Sequence, residues 1–226
     1  MTNTDTTQRI DLSPVIAFDS DGALQETAAI AERHSRRGFL KSAGLAAGGV
    51  AALSGGLFPV ARASAATPKG DVAILNFALT LEFLEAAFYG ASLKSAGLTG
   101  AHERFARTAY RHESAHVRAL KAALGRAAVA RPTFDFGAAV MSKDAFTATA
   151  ITLEDTGVEA YQGQAPFITS DAVFKAAISI HPVEARHAAW IRSLSGQAPA
   201  PDSFNPALTK DAVLAAVNGT GFIKAA

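Results

Sequence analysis

The chain has 226 residues, 49% of them hydrophobic, and its 21 Lys and Arg against 20 Asp and Glu leave a formal charge of +1. That balance supplies no basic stripe to displace phosphate counterions, which excludes nucleic acid as a partner, and it is too apolar and too weakly charged for a wholly disordered chain. With no cysteine there is no disulfide scaffold, thiolate zinc site, iron–sulfur cluster or catalytic thiol, so any metal must rest on the 6 His and 20 carboxylates.

Residues 1–34 are polar and lack sustained periodicity, and are expected to be a disordered extension. Ser35-Arg36-Arg37-Gly38-Phe39-Leu40-Lys41 then places a twin arginine before Phe-Leu-Lys, the mark of a bacterial twin-arginine (Tat) signal. From Ala43 to Val60 the chain is uncharged and rich in Ala and Gly, and Ala61-Arg62-Ala63, or Ala63-Ser64-Ala65 one frame on, fits a small-x-small cleavage site. This Gly-diluted run falls short of the ~20 apolar residues that span a bilayer. A leader over residues 35–65, read by the Tat export machinery and removed, is therefore expected rather than a membrane anchor, with a periplasmic or otherwise exported product. Residues 1–65 hold six basic and six acidic residues, so the remaining domain, 66–226, keeps a charge of +1.

That domain reads as four long helices and a tail. The first is predicted over Asp71 to Ser95, with Ile74, Leu75, Ala78, Leu81 and Leu84 at helical spacing and Gly97 and Gly100 ending it. The second runs from Ala101 to Leu124, with Gly125 as C-cap. Arg131-Pro132 and Gly137 make residues 126–141 a connector. The third helix starts at the N-cap Ser142 and ends between Gly163 and Pro166; the fourth follows Ser170 to about Ser195 and contains Pro182, which should kink it or remove a hydrogen bond. Pro199, Pro201 and Pro206 make the next stretch irregular before a short helix from Lys210 to Val217, capped by Thr209. There is little strand signal. Short links make each helix pair an antiparallel hairpin, while the connector, at ~3.3 Å per residue, is long enough to travel the whole bundle. The expected fold is all-α: a four-helix bundle with one long crossover between two hairpins, the connectivity of ferritin-like folds.

Two segments repeat. Glu113-Ser-Ala-His116 and Glu184-Ala-Arg-His187 are both Glu-x-x-His, whose i, i+3 spacing puts both side chains on one helix face. Thirty or thirty-one residues upstream stand Leu81-Glu82 and Leu153-Glu154, each followed seven residues later by a tyrosine, Tyr89 and Tyr161. The pattern indicates an internal duplication, one half per hairpin. Glu82 and Glu113 lie at similar depth from one turn, Glu154 and Glu184 from the other, so docking the hairpins gathers four Glu and two His mid-bundle. An oxygen-rich set with two imidazoles suits a pair of iron or manganese ions rather than zinc.

The segments 71–89 (DVAILNFALTLEFLEAAFY), 111–120 (RHESAHVRAL), 153–163 (LEDTGVEAYQG) and 183–192 (VEARHAAWIR) resemble the bacterial ferritin-like domain family, often exported, and relatives such as bacterioferritin and rubrerythrin. The resemblance covers most of residues 70–220. It implies Glu82, Glu113, His116, Glu154, Glu184 and His187 as ligands, with Glu113 and Glu184 bridging and Glu82 and Glu154 terminal. It does not imply iron storage, which needs a shell of subunits.

Other residues compete for roles. Glu85 and Glu159 are alternatives to Glu82 and Glu154, but the tyrosine alignment favours the latter pair and assigns Glu85 and Glu159 to the surface or to positions behind the ligands. Tyr89, Tyr161 and Tyr110 are candidates to hydrogen-bond ligands, and Tyr110 and Trp190 to carry electrons, with core packing as the plainer role. His112-Glu113-x-x-His116 also matches the zinc-peptidase helix motif, although the repeat has Val183 where His112 stands. His102 and His181 are expected outside the site. The functional expectation is an exported di-iron or di-manganese protein reacting with dioxygen or peroxide, as a ferroxidase, a peroxidase or a manganese-catalase-like enzyme. Its rivals are a non-catalytic bundle with a binding role in the envelope or in stress and, remotely, a zinc peptidase. The Phe134-Asp135-Phe136 connector and the tail either cover the bundle or join copies in a homo-oligomer.

Overall fold

A computed structural model describes residues 68–224; the extension, the twin-arginine segment and the cleavage frames lie outside them. Five helices form among the described residues: α1 (Lys69–Ser95), α2 (Gly100–Leu124), α3 (Lys143–Gln164), α4 (Asp171–Leu194) and α5 (Lys210–Gly219). The polar residues expected as caps act as such. Ser142 Oγ accepts from Ala145 N at 3.2 Å, Ser170 Oγ from Val173 N at 3.5 Å, and Thr209 Oγ1 from Ala212 N at 3.2 Å. Pro182 sits inside α4 without interrupting it.

The architecture is a four-helix bundle. α1 packs closely on α2 and α3 on α4, and the hairpins meet through α1 against α3 and α2 against α4. The α2–α3 connector travels along α1. At its start Asn76 holds it from both sides, donating to Ala127 O at 2.9 Å and accepting from Val129 N at 2.8 Å. At its far end Phe136 lies edge-on to Phe88, 5.6 Å between ring centres. Asn76 and Phe88 are twelve residues apart, about 18 Å along a helix, so the crossover spans much of the bundle.

One strand pairing was not foreshadowed. The connector's β1 (Thr133–Phe134) joins the tail's β2 (Ile223–Lys224) in an antiparallel pair, extended by Asp135 N donating to Phe222 O at 2.9 Å. Phe136 packs on Phe222 as well as Phe88, so connector and tail cover the bundle together. The tail is also seated on α3: Leu208 N donates to Glu159 O, and a side chain at Gly163 would put its Cβ 1.9 Å from Leu208 O. Gly163 is therefore required by the close approach of a second backbone.

Two apolar clusters flank the middle of the bundle. One is built on Phe88, Phe105, Phe146 and Ile191, with Phe88 and Phe146 nearly parallel. The other gathers Leu75, Leu79, Leu120, Leu124 and Ile180. On α2 and α4 the Glu-x-x-His segments fall between residues of the two clusters, so their charged side chains have apolar layers on either side.

Candidate metal centre

Glu82, Glu113, Glu154, Glu184, His116 and His187 are all buried, the four carboxylates at 0–1% exposure. Such burial of charge is costly unless the charges are paired or hold a cation. They form two overlapping groups, Glu82, Glu113, His116 and Glu184, and Glu113, Glu154, Glu184 and His187, in each of which every residue offers a ligand atom within 4.8 Å of the others. Glu113 and Glu184 belong to both groups. His116 Nδ1 stands 2.8 Å from Glu113 Oε2, 3.1 Å from Glu82 Oε2 and 3.2 Å from Glu184 Oε1; His187 Nδ1 stands 3.0 Å from Glu113 Oε1 and 3.3 Å from Glu154 Oε2.

Several of these atoms converge without a hydrogen bond. Glu113 Oε1, Glu154 Oε2, both oxygens of Glu184 and His187 Nδ1 are buried and unpartnered among the described residues. Buried polar atoms are almost always satisfied. Unpaired atoms gathered in this way are compatible with a cation among them, and a set of carboxylate oxygens with two imidazole nitrogens fits divalent metal ions.

The tyrosines link the halves reciprocally. Tyr89 of α1 donates to Glu154 Oε1 of α3, and Tyr161 of α3 donates to Glu82 Oε1 of α1 at 2.5 Å. Each tyrosine is two turns from the glutamate of its own helix and bonded to the glutamate of the other, an arrangement that requires α1 and α3 to run antiparallel. Tyr110 departs from this pattern. It is 42% exposed, and its ring lies over α1 at Gly90, in the space a side chain there would fill.

Without metal, the cluster's electrostatics are set by burial and by the two histidines. Burial raises Glu82 to about 7 although His116 opposes it. Burial and neighbouring carboxylates hold Glu184 well above the carboxylate range, and burial raises Glu154 against the pull of His187. Glu113 alone goes down: burial would raise it, but its bond to His116 and the close approach of the His187 imidazole outweigh that. Burial would depress both imidazoles, yet Glu154 and Glu113 bring His187 up to about 10, and Glu82, Glu113 and Glu184 raise His116 further. The protonated imidazoles supply the positive charge the carboxylates need.

Three residues differ from expectation or sharpen it. Glu85 is not a surface residue: it is 3% exposed, and burial with the charges of Glu184 and Glu154 holds its carboxyl well above the usual range. Its signal was present as Glu82-x-x-Glu85, the i, i+3 spacing that keeps both on one face. The matching place in the second half is Gly157, where a Cβ would sit 3.3 Å from Glu85 Oε1 and 3.2 Å from Glu184 Oε2. The repeat gives up a side chain there, and Glu85 uses the room. Glu159 is half-buried beside Asp155 and Arg192, away from both groups. His112 does not join His116 on one cation position. Its Nδ1 meets the outer edge of His187 at Nε2, 2.8 Å away, so the two histidines of the peptidase-like motif serve different places. His102 lies beside Lys143 and Asp144, and His181 is half-buried with Nε2 unpartnered; neither belongs to the two groups.

A family model for the ferritin-like domain matches residues 70–197. The chain belongs to the ferritin-like domain family. The match takes in the four long helices and the crossover, and leaves α5 and the β2 segment beyond it. No curated protein matches the chain. In this ferritin-like domain the buried Glu and His groups are compatible with metal ions, which domains of this kind often bind.

Proposed function

We propose that this ferritin-like protein is exported by the Tat route and holds two iron or two manganese ions for redox chemistry with dioxygen or peroxide, in oxidative-stress defence or iron handling. The observation that carries the reading is the overlap of the two groups at Glu113 and Glu184. Shared carboxylates are what a bridged pair of ions requires. Glu113 and Glu184 would bridge, Glu82 and His116 would complete one position, and Glu154 and His187 the other.

Bound there, a reduced metal pair would supply electrons to the oxidant. The chain's own residues prepare the place. Tyr89 and Tyr161 hold the terminal carboxylates Glu154 and Glu82 by one oxygen each, so that the second oxygen of each faces the Nδ1 of a histidine, His187 or His116. The apolar clusters at either side keep bulk water out and strengthen every charge interaction within.

The test is elemental mass spectrometry of the protein purified from cells expressing the full chain. About two iron or manganese per chain is the expected result, and the metal should be lost in a Glu113→Ala, Glu184→Ala double variant. One zinc per chain in place of the pair would refute the two-ion redox reading. No metal, even after anaerobic incubation with ferrous or manganous ion, would refute the redox reading and leave a non-catalytic bundle with a binding role. Export is tested separately: Arg36→Lys with Arg37→Lys should trap the precursor in the cytoplasm.

A further inference from the structure

The two halves of the centre are not equivalent, and the difference lies behind one histidine. His187 turns Nδ1 toward Glu113 and Glu154 and presents its opposite nitrogen, Nε2, to His112 Nδ1 at 2.8 Å. The two rings are only 17° from parallel with centres 5.0 Å apart. That separation is the nitrogen–nitrogen distance plus the two nitrogen-to-centre radii, so the rings lie edge to edge, almost in one plane. This is the geometry of an in-plane hydrogen bond, not of face-to-face stacking. With the His187 Nδ1 lone pair given to a cation, its proton must sit on Nε2, which then donates to Nδ1 of His112.

His116 lacks such a support. Among the described residues its polar contacts are made through Nδ1, to Glu82, Glu113 and Glu184, and no side chain bonds its Nε2. The reason is legible in the duplication. The residue before Glu113 is His112, and the residue before Glu184 is Val183, which has no hydrogen-bonding group.

We propose that His112 is a positioning residue for one metal position: by accepting the Nε2–H of His187 it fixes the tautomer and ring orientation that aim the Nδ1 lone pair inward, so that the Glu154–His187 position binds a divalent cation ahead of the Glu82–His116 position. An imidazole with its outer N–H anchored loses less rotational and tautomeric freedom on binding metal and is the more basic ligand. Outer partners of this kind typically change metal affinity by about 10–100-fold. The inference rests on the di-metal reading above and adds to it an order of filling.

The experiment is a titration of the chelator-treated full-chain protein with cobalt(II) alone, followed by visible absorbance and calorimetry. The wild type should take the first equivalent at least about tenfold more tightly than the second. His112→Val, which installs the residue of the other half, should weaken the first equivalent by about that factor and make the two alike, while His112→Asn, whose amide oxygen can accept the same N–H, should restore much of the difference. Adding His112→Val to His187→Ala should change nothing further. Two equivalents already alike in the wild type, or steps unaltered by His112→Val, would overturn the positioning role while leaving the di-metal centre intact. Failure of the wild type to bind cobalt would overturn the di-metal reading and this inference with it. A His112→Val protein with weakened folding would lose both steps together, a pattern that His112→Asn would not rescue and that also counts against the role.

Discussion

In its metal-free form this protein should invert the usual relation between pH and stability. Most proteins gain stability as pH rises from acid, because their carboxylates are better placed folded than unfolded. Here Glu82, Glu85, Glu154 and Glu184 are all held above their ordinary value by burial. A carboxyl raised in the fold binds its proton more tightly there than in the unfolded chain. Its contribution is intact below the unfolded value and is lost as pH rises through the folded one. His116 and His187, raised by the carboxylates around them, act in the same direction, with the loss beginning near the ordinary imidazole value. Glu113, held down by the two histidines, runs the other way, but its share is already complete above the ordinary carboxylate value and stays constant across the neutral range.

The magnitude follows from Glu82 alone, which moves from 4.5 to about 7. At roughly 1.4 kcal/mol per pH unit this is about 3 kcal/mol lost between pH 5 and 8. Near 2–4 °C per kcal/mol for a domain of this size, Tm should fall by at least about 6–12 °C over that interval. Bound divalent metal reverses the slope, since it requires ionised carboxylates and neutral imidazoles and so binds better as pH rises. The assay is a set of thermal melts followed by circular dichroism at 222 nm at pH 5, 6, 7 and 8, on chelator-treated and on metal-loaded protein. A metal-free Tm that is flat or rises over this range would show that the cluster's burial energetics have been misread.

Three further predictions address single residues. Glu85→Gln removes a buried group that ionises at a cost, so the metal-free variant should be more stable than wild type at pH 8 and indistinguishable from it at pH 4.5 in urea unfolding. Tyr161→Phe strips Glu82 Oε1 of its hydrogen bond and should cost about 1–3 kcal/mol in the same measurement. Asp71, fully buried, accepts from Thr169 N, Thr169 Oγ1 and Ser170 N and so ties the start of α1 to the α3–α4 turn; Asp71→Ala should cost about 3 kcal/mol without altering the metal stoichiometry.

Local signals carried most of the fold. Ser142, Ser170 and Thr209 were legible as caps because an N-cap needs only its own side chain and the amide three residues on. The β1–β2 pair was not, since two-residue strands have no periodicity and their partners are about ninety residues apart in the chain. For the centre, the duplication singled out six residues that the fold brings together, because a helical phase repeated in both hairpins is a constraint a surface glutamate has no reason to obey. The same symmetry concealed what is asymmetric. The tyrosine spacing distinguishes Glu82 from Glu85 but is silent on Gly157, whose missing side chain lets both glutamates be buried. His112 looked like half of a peptidase motif because its partner, His187, is 75 residues away on α4. Both departures, Glu85 against Gly157 and His112 against Val183, add a group to the first half that the second lacks. His112 nevertheless reaches across to the second half's histidine, and Glu85 lies against the second half's Glu184. The additions on α1 and α2 thus bear on residues of α4, and it is there that the two metal positions proposed above should first be told apart.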